Sequence, residues 1–430
     1  MQSIWQETKM PEFPRLEGDL NTDVLIIGGG IAGLLTAYYL QESGAQCVVA
    51  EKNRICSGNT GFTTAKITAQ HGLVYQKIAA GHGLEAARRF YEVNQRAVEE
   101  YARLSERIDC DFTRMDNYVY SIQNRKKLEA EMEILNRIQA DATLVDAVPL
   151  PIDTVGAVCF ANQAQFDPLQ FLAGIARNLH ILENTFVREL VGTDAVTDTG
   201  TIHARRIVCT THFPMINKHG SYFLKLYQHR SYVIALENAQ KLDGMYVDEA
   251  DTGLSFRNAH GKLLLGGGGG HTGSPCGAWE ELRQFANVHY PEARETGHWA
   301  AQDCMSLDGM PYVGQYSART RDFYVATGFN KWGMTSAMVA AWILRDQLLG
   351  RKNEYGQLLS PSRSILHKQL WSNGTHAACN LLRLSRPRCP HMGCALVWNP
   401  AEQTWDCPCH GSRFAPDGKL LENPANGDLH

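Results

Sequence analysis

Asp23-Val24-Leu25-Ile26-Ile27-Gly28-Gly29-Gly30-Ile31-Ala32-Gly33 is the stretch whose reading decides the fold. Asp23 to Ile27 is a short run of strand type, and Ile31 to Glu42 carries the spacing of a helix that ends near Ser43-Gly44. The turn between them reads Gly-x-Gly-x-x-Gly. Gly28 permits a tight turn, Gly30 lets the backbone approach a pyrophosphate, and Gly33 lets the helix pack close to the strand. The helix N-terminus offers N–H groups and the positive end of its dipole to phosphates. Cys47 to Ala50 reads as a second strand. Glu51 ends it, eighteen residues after Gly33, where an acid would bind a ribose hydroxyl. A ligand-free turn can carry the same glycines, but strand, helix, second strand and acid together point to a dinucleotide. These residues alone do not choose between FAD and NAD.

The chain has 430 residues, which calls for two or three domains. Hydrophobic residues make up 44% and charged residues 20%, as in a soluble globular protein. A net charge of −4 gives no pull toward nucleic acid. No apolar run is long enough to cross a bilayer. Met1 to Leu20 carries Pro, Glu and Asp where a signal peptide needs an apolar stretch, so a cytoplasmic protein is expected.

Residues 1–22 read as an extended polar segment. Glu85 to Ile108 and Asn124 to Ala140 have helical spacing. Short strands dominate from Ala157 to Gly270, for example Tyr232 to Leu236 and Lys262 to Leu265, with Gly266 to Gly270 as a close-packed strand end. Tyr324 to Thr327 reads as a strand and Met334 to Leu349 as a long helix. From Pro361 the chain is turn-rich and bears Cys and His.

Several of these stretches resemble the D-amino-acid/glycine oxidase superfamily of flavoproteins. Gly28 to Glu51 is similar to its FAD fingerprint, and Ser57-Gly58-Asn59-Thr60-Gly61-Phe62-Thr63-Thr64-Ala65-Lys66 to the loop that runs along the cofactor. Ile207 to His212 resembles the strand that returns to the FAD domain. Val187, in Thr185 to Leu190, matches the position that meets the adenine through its backbone. Tyr324-Val325-Ala326-Thr327-Gly328-Phe329-Asn330-Lys331-Trp332-Gly333-Met334-Thr335 resembles the C-terminal flavin motif. The N–H groups of such a strand–turn–helix could stabilise negative charge on reduced flavin. The resemblance, over roughly residues 20 to 360, makes the dinucleotide FAD. It implies contacts from Gly28, Gly30, Ile31, Ala32, Gly33, Glu51, Lys52, Ser57, Gly58, Thr60, Thr63 and Thr64, and further along from Val187, Thr210, Gly328, Trp332, Gly333, Met334 and Thr335.

Cys389-Pro390-His391 is followed, after fifteen residues, by Cys407-Pro408-Cys409-His410. One Cys and one His in each of two loops suits a Rieske [2Fe–2S] centre, with two thiolates on one iron and two imidazoles on the other. Zinc also accepts two Cys and two His, though this is not the usual finger spacing, and four unmetallated residues are the plainer alternative. The segment resembles Rieske proteins closely. That resemblance makes Cys389, His391, Cys407 and His410 ligands, and Cys394 with Cys409 a disulfide between the loops. Rieske domains carry strands before the first ligand loop. Here little chain precedes Cys389, and Trp371 to His376 reads as a turn, so a truncated sheet and a labile or missing cluster are expected.

The expected fold is α/β, α+β overall. A Rossmann-like FAD-binding domain (about 23–80, 168–212 and 295–350) is interleaved with an antiparallel substrate sheet (about 142–167 and 213–294). A linker over 361–388 leads to a small all-β Rieske segment over 389–430. For an amino-acid substrate an arginine would pair with the carboxylate. Arg257 is the first choice and Arg230 the second, each weighed against a structural role. Lys66 and Lys331 flank the flavin motifs and could assist O₂ or reduced flavin. Tyr232, His271, Gln302 and Asp303 are weaker candidates. Cys304 could tether flavin covalently or be a buried free thiol. The expected function is oxidation of an amino acid or amine by hydride transfer to FAD, with electrons passing to the Rieske cluster or O₂. The alternative is a flavin-binding sensing or interaction protein without a cluster.

Overall fold

Strand β1 (Leu20–Ile27) enters the core and delivers its last four residues, Val24 to Ile27, fully buried. Helix α1 (Ile31–Glu42) follows and β2 (Cys47–Ala50) returns parallel to β1, with Ile27 opposite Ala50. Nine of the twelve residues of α1 are buried, so it is a core helix. After intervening segments β3 (Thr201–Cys209) pairs parallel with the other side of β1, with Cys209 opposite Ile27. The chain then leaves for a second sheet through β4 (Leu226–Glu237), β5 (Lys262–His271) and β6 (Arg294–Ser306). It comes back as β7 (Thr320–Thr327), parallel to β3, and ends in α2 (Gly333–Leu348), which packs on α1. This is a computed structural model, and it describes residues 2–215, 220–364, 370, 375, 380 and 387–429.

The first sheet has eight strands and is the Rossmann-like layer. Its central order is 312–317, β7, β3, β1, β2, 181–182. The second sheet has nine strands, in the order β6, β4, β5, 255–259, 244–248, 113–121, 156–165, 66–67, with 142–145 paired to 156–165. It is not purely antiparallel, because Gly244–Asp248 runs parallel to Thr113–Ser121. Its extent also corrects the expected limits. Arg294–Ser306, expected among the FAD-binding parts, lies along the length of β4, and Thr113–Ser121 joins the sheet from outside both expected substrate segments.

Residues 1–22 are not simply extended. Ile4–Glu7 forms a 3₁₀ turn because Ile4 and Trp5 bury apolar surface that a polar tail could not. Trp5 Nε1 donates to the Thr63 carbonyl at 2.7 Å and Ser3 Oγ to the Gly61 carbonyl at 2.5 Å. Helix Pro168–Ala176 interrupts the strand-rich middle. Asp167 caps it, accepting from Leu169 N at 2.8 Å and Gln170 N at 3.0 Å, with Pro168 in the first turn.

The C-terminal sheet is a meander of β8 (Val397–Asn399), β9 (Thr404–Asp406), β10 (Arg413–Phe414) and β11 (Leu420–Glu422). Its own small core gathers Cys389, Cys394, Leu396, Cys407, Cys409, Phe414 and Ala425. The turn expected over 371–376 lies outside the described residues, Thr375 excepted, as does most of the expected linker. No helix among the described residues is long and apolar enough to cross a membrane.

Candidate functional site

A cavity of about 930 Å³ opens where β1, β2 and β3 end, as ligand sites of parallel sheets do. Its first wall is the glycine turn. Gly28 sits at φ +111°, and a Cβ there would come within 2.9 Å of the Thr210 carbonyl oxygen. Gly33 lies behind the turn, where a Cβ would stand 1.9 Å from the Gly28 oxygen, so only glycine lets α1 approach this closely. Glu51 Oε2 accepts from Gly29 N at 2.7 Å and Oε1 from Asn53 N at 3.0 Å. Burial pushes this carboxyl up, while the two backbone donors pull it down.

Gly28, Gly30, Ile31, Ala32, Glu51, Lys52, Ser57, Gly58, Thr60, Thr63 and Thr64 all border the cavity. So do Val187, Thr210, Gly328, Trp332, Gly333 and Met334. Gly33 and Thr335 do not. Thr335 turns inward, with Oγ1 on the Thr68 carbonyl at 3.0 Å and on His71 Nε2 at 2.8 Å. The His71 ring stacks on Trp332 at 5.5 Å, and burial lowers it to about 3, so it is a neutral spacer.

The two arginines expected at the substrate both hold protein groups in this structure. Arg257 is fully buried behind the cavity wall. Nη1 donates to the Thr64 and Ala65 carbonyls, each at 2.6 Å, and the guanidinium lies 5.4 Å from the Trp5 ring. It braces the loop from within rather than facing substrate. Arg230 borders the cavity, but Nε donates to Glu402 Oε1 at 2.7 Å and Nη1 to Glu422 Oε1 at 3.4 Å. Two carboxylates of the C-terminal sheet already occupy it.

The reason is the two-residue period of β4. Gln228, Arg230 and Tyr232 face the C-terminal segment, and the Tyr232 hydroxyl accepts from Asn399 Nδ2 at 3.2 Å. Tyr227, His229 and Ser231 alternate with them in sequence and border the cavity, as Arg230 and Tyr232 also do. There His229 is paired across the strands with Asp303, and Ser231 Oγ donates to Asp303 Oδ2 at 2.8 Å. Burial raises the Asp303 carboxyl against the pull of nearby Lys331. Tyr227, His229 and His212 were not singled out from the sequence; the alternation around Arg230 was the available signal.

Lys331 Nζ donates to the Asp251 carbonyl at 2.8 Å at the exposed rim. Lys66 is buried, with Nζ on Thr64 Oγ1 at 3.2 Å, and burial followed by the Arg257 charge lowers it to about 7. His271 stacks on Tyr227 at 6.0 Å, outside the cavity lining. Cys304 borders the cavity as a free thiol that burial pushes up to about 11.

The C-terminal ligand loops stand side by side. Cys389 N donates to the Cys394 carbonyl at 2.9 Å and Gly393 N to the Cys389 carbonyl at 2.8 Å, which folds the first loop tightly. The second repeats this, with Cys407 N on the Ser412 carbonyl at 2.8 Å and Gly411 N on the Cys407 carbonyl at 2.9 Å. Cys394 and Cys409 form a disulfide across the loops, with Cα atoms 6.7 Å apart. The Cys407 sulfur lies within 4.8 Å of both disulfide sulfurs. Those two carry no thiolate, so the pair available to iron is Cys389 and Cys407. Hydrogen bonding between these thiols lowers Cys389 and raises Cys407. The His391 and His410 rings meet at 5.0 Å and 90°.

Comparison with known proteins places both halves. The profile of FAD dependent oxidoreductases (DAO) matches residues 23–347, and that of the Rieske [2Fe-2S] domain matches residues 377–430. The chain belongs to the DAO family of FAD-dependent oxidoreductases, with a C-terminal Rieske domain. It is 33% identical to YhfW of Bacillus subtilis (strain 168), named as a Rieske 2Fe-2S iron-sulfur protein, over 99% of this chain and 96% of that one. The fold is also that of L-proline dehydrogenase from P. horikoshii (TM-score 0.67, 17% identity, 82% of this chain and 98% of that one). Glycine oxidase from Geobacillus kaustophilus is similar to the same degree (TM-score 0.67, 17% identity, 80% and 99%).

FAD and a [2Fe–2S] cluster are therefore this oxidoreductase's cofactors, and its residues fit both. The Gly28 and Gly33 positions, where a Cβ would collide with Thr210 and the Gly28 oxygen, hold the turn tight against α1, and Gly28 and Gly30 present its backbone to the cavity for a dinucleotide. His410 Nδ1 is buried without a hydrogen-bond partner among the described residues, as suits a nitrogen reserved for iron. The two sites share a wall. Thr210, Thr211 and His212 border the flavin cavity, and Phe213 packs on His391 at 6.3 Å and on His410 at 5.9 Å. On the neighbouring strand, Gln302 N donates to Asn59 Oδ1 at 3.0 Å, while Gln302 Nε2 donates to the Gly411 carbonyl at 2.8 Å.

Proposed function

We propose that this oxidoreductase oxidises an amino acid or amine and passes the electrons to its own Rieske cluster. The observation that carries this reading is the shared wall at Thr211-His212-Phe213. Two residues border the flavin cavity and the next touches both cluster histidines. Bound FAD supplies the hydride acceptor and the bound cluster a one-electron acceptor. The chain's part is to bind and orient. Asp303, fixed by Ser231, faces the cavity beside His229 and offers an anionic contact for a substrate ammonium. Among the described residues the arginines bordering the cavity are Arg230 and Arg413, and carboxylates hold both. A substrate carboxylate would therefore meet Lys66 or Lys331, which border the same space. Phe213 and Phe223 both pack against the His410 ring, at 5.9 and 6.3 Å.

The test is anaerobic mixing of the purified protein with a panel of amino acids and amines. Flavin bleaching followed by the electron paramagnetic resonance signal of a reduced cluster is the expected result. Flavin bleaching with no cluster signal, and peroxide in proportion to turnover once air is admitted, would instead establish an oxidase. Bleaching by none of the panel would remove amino acids and amines as the substrate class.

A further inference from the structure

The flavin cavity is not closed by the oxidoreductase part alone. Leu420, Leu421, Glu422, Asn423, Ala425 and Asn426 of the Rieske domain border it as well. They approach the side marked by Glu51, Lys52 and Val187, the end at which the fingerprint places the adenosine. Lys52 Nζ donates to the Leu421 carbonyl at 3.2 Å, and Arg188 Nη1 to the Asn426 carbonyl at 3.4 Å. Asn423 fastens the segment further in, where Nδ2 donates to the Thr211 carbonyl at 2.9 Å and the Phe213 carbonyl at 2.7 Å. Thr211 borders the cavity and Phe213 touches the cluster histidines, so one side chain pins the segment to the wall common to both sites.

We propose that residues 420–426 of the Rieske domain form part of the FAD-binding site, as a wall over its adenosine end, so that FAD binding and Rieske docking stabilise each other. A ligand held between two parts of one chain binds only their docked arrangement and shifts the population toward it. The coupling is reciprocal. Whatever factor docking adds to FAD affinity, bound FAD adds to docking.

Two measurements on the full chain test this. The first is FAD affinity, read from flavin fluorescence, for the wild type and Asn423→Ala, with the cluster spectrum confirming that the Rieske domain remains folded. Loss of two part-buried hydrogen bonds should weaken FAD binding about tenfold. Unchanged affinity, with the cluster intact, overturns the proposal. The second needs no variant and stands if Asn423→Ala does not fold. Iron release to a chelator is followed in wild-type protein with and without FAD. Release several-fold slower with FAD is expected, and equal rates overturn the proposal. Neither readout depends on substrate turnover.

Discussion

Arg230 and Glu402 form a buried pair, Nε to Oε1 at 2.7 Å, that joins a strand of the substrate sheet to the Rieske domain. Their side chains are 6% and 0% exposed. Arg413 shares Glu402 at 2.7 Å and reaches Glu422 at 2.8 Å, so two cations and two anions alternate across the junction. Removing one partner of such a set leaves an uncompensated buried charge, which costs about 3–5 kcal/mol, more than the pair itself contributes. Arg230→Ala should therefore release the C-terminal sheet while leaving the flavin fold in place. Limited proteolysis should cut the variant near residue 388 under conditions in which the wild type resists. Equal resistance would show that the pair does not hold the junction.

Gly33→Ala tests the other end of the site. The added methyl would need to occupy a position 1.9 Å from the Gly28 carbonyl oxygen, so either α1 or the turn must move. Every bond of the turn to an incoming phosphate depends on that spacing. The variant should purify with flavin absorbance at background, yet retain its cluster spectrum. Gly44→Ala is the control, at a position with open space around it but φ of +80°; it should cost a little stability and keep its flavin.

The strand–turn–helix around Gly28 was legible because its signal is local: a buried strand, three glycines and a helix all lie within about twenty residues. The Rieske ligands were legible for the same reason. The second sheet was not. Thr113–Ser121 and Arg294–Ser306 join it through partners 35 or more residues away, and nothing in their own sequence says which neighbours they take. That Arg257 and Arg230 would hold protein groups was hidden for a related reason. An arginine in a strand is equally consistent with either face, and here one face meets backbone carbonyls and the other meets Glu402. Glu402 is 172 residues from Arg230, beyond any periodic pattern.

Cys407→Ser separates the two cofactors. Cys407 is fully buried, and serine differs from it by a single atom, so the loop should keep its shape. Without that thiolate the iron site loses a ligand. Iron analysis should fall from about two per chain to background. Flavin should still bind, because Gly28, Gly33 and Glu51 are untouched. Retention of full iron would exclude Cys407 as a ligand.

Lys66 gives a dependence on pH with a definite sign. Burial, aided by the Arg257 charge, lowers its ammonium from an ordinary 10.5 to about 7 in the folded chain. Between those two values the unfolded chain holds a proton that the folded chain has released, so this group makes stability rise with pH across about 7 to 10.5. Below pH 7 both states are protonated, and the folded protein bears the whole cost of a buried charge. The slope cannot exceed about 1.4 kcal/mol per pH unit. Lys66→Met removes the charge and keeps most of the side-chain volume. In flavin-free protein the variant should melt at a higher temperature than the wild type at pH 6 to 7, and the gap should close as pH approaches 10. A gap that stays constant, or widens, would mean that Lys66 remains charged in the folded state, paired with something the cavity provides.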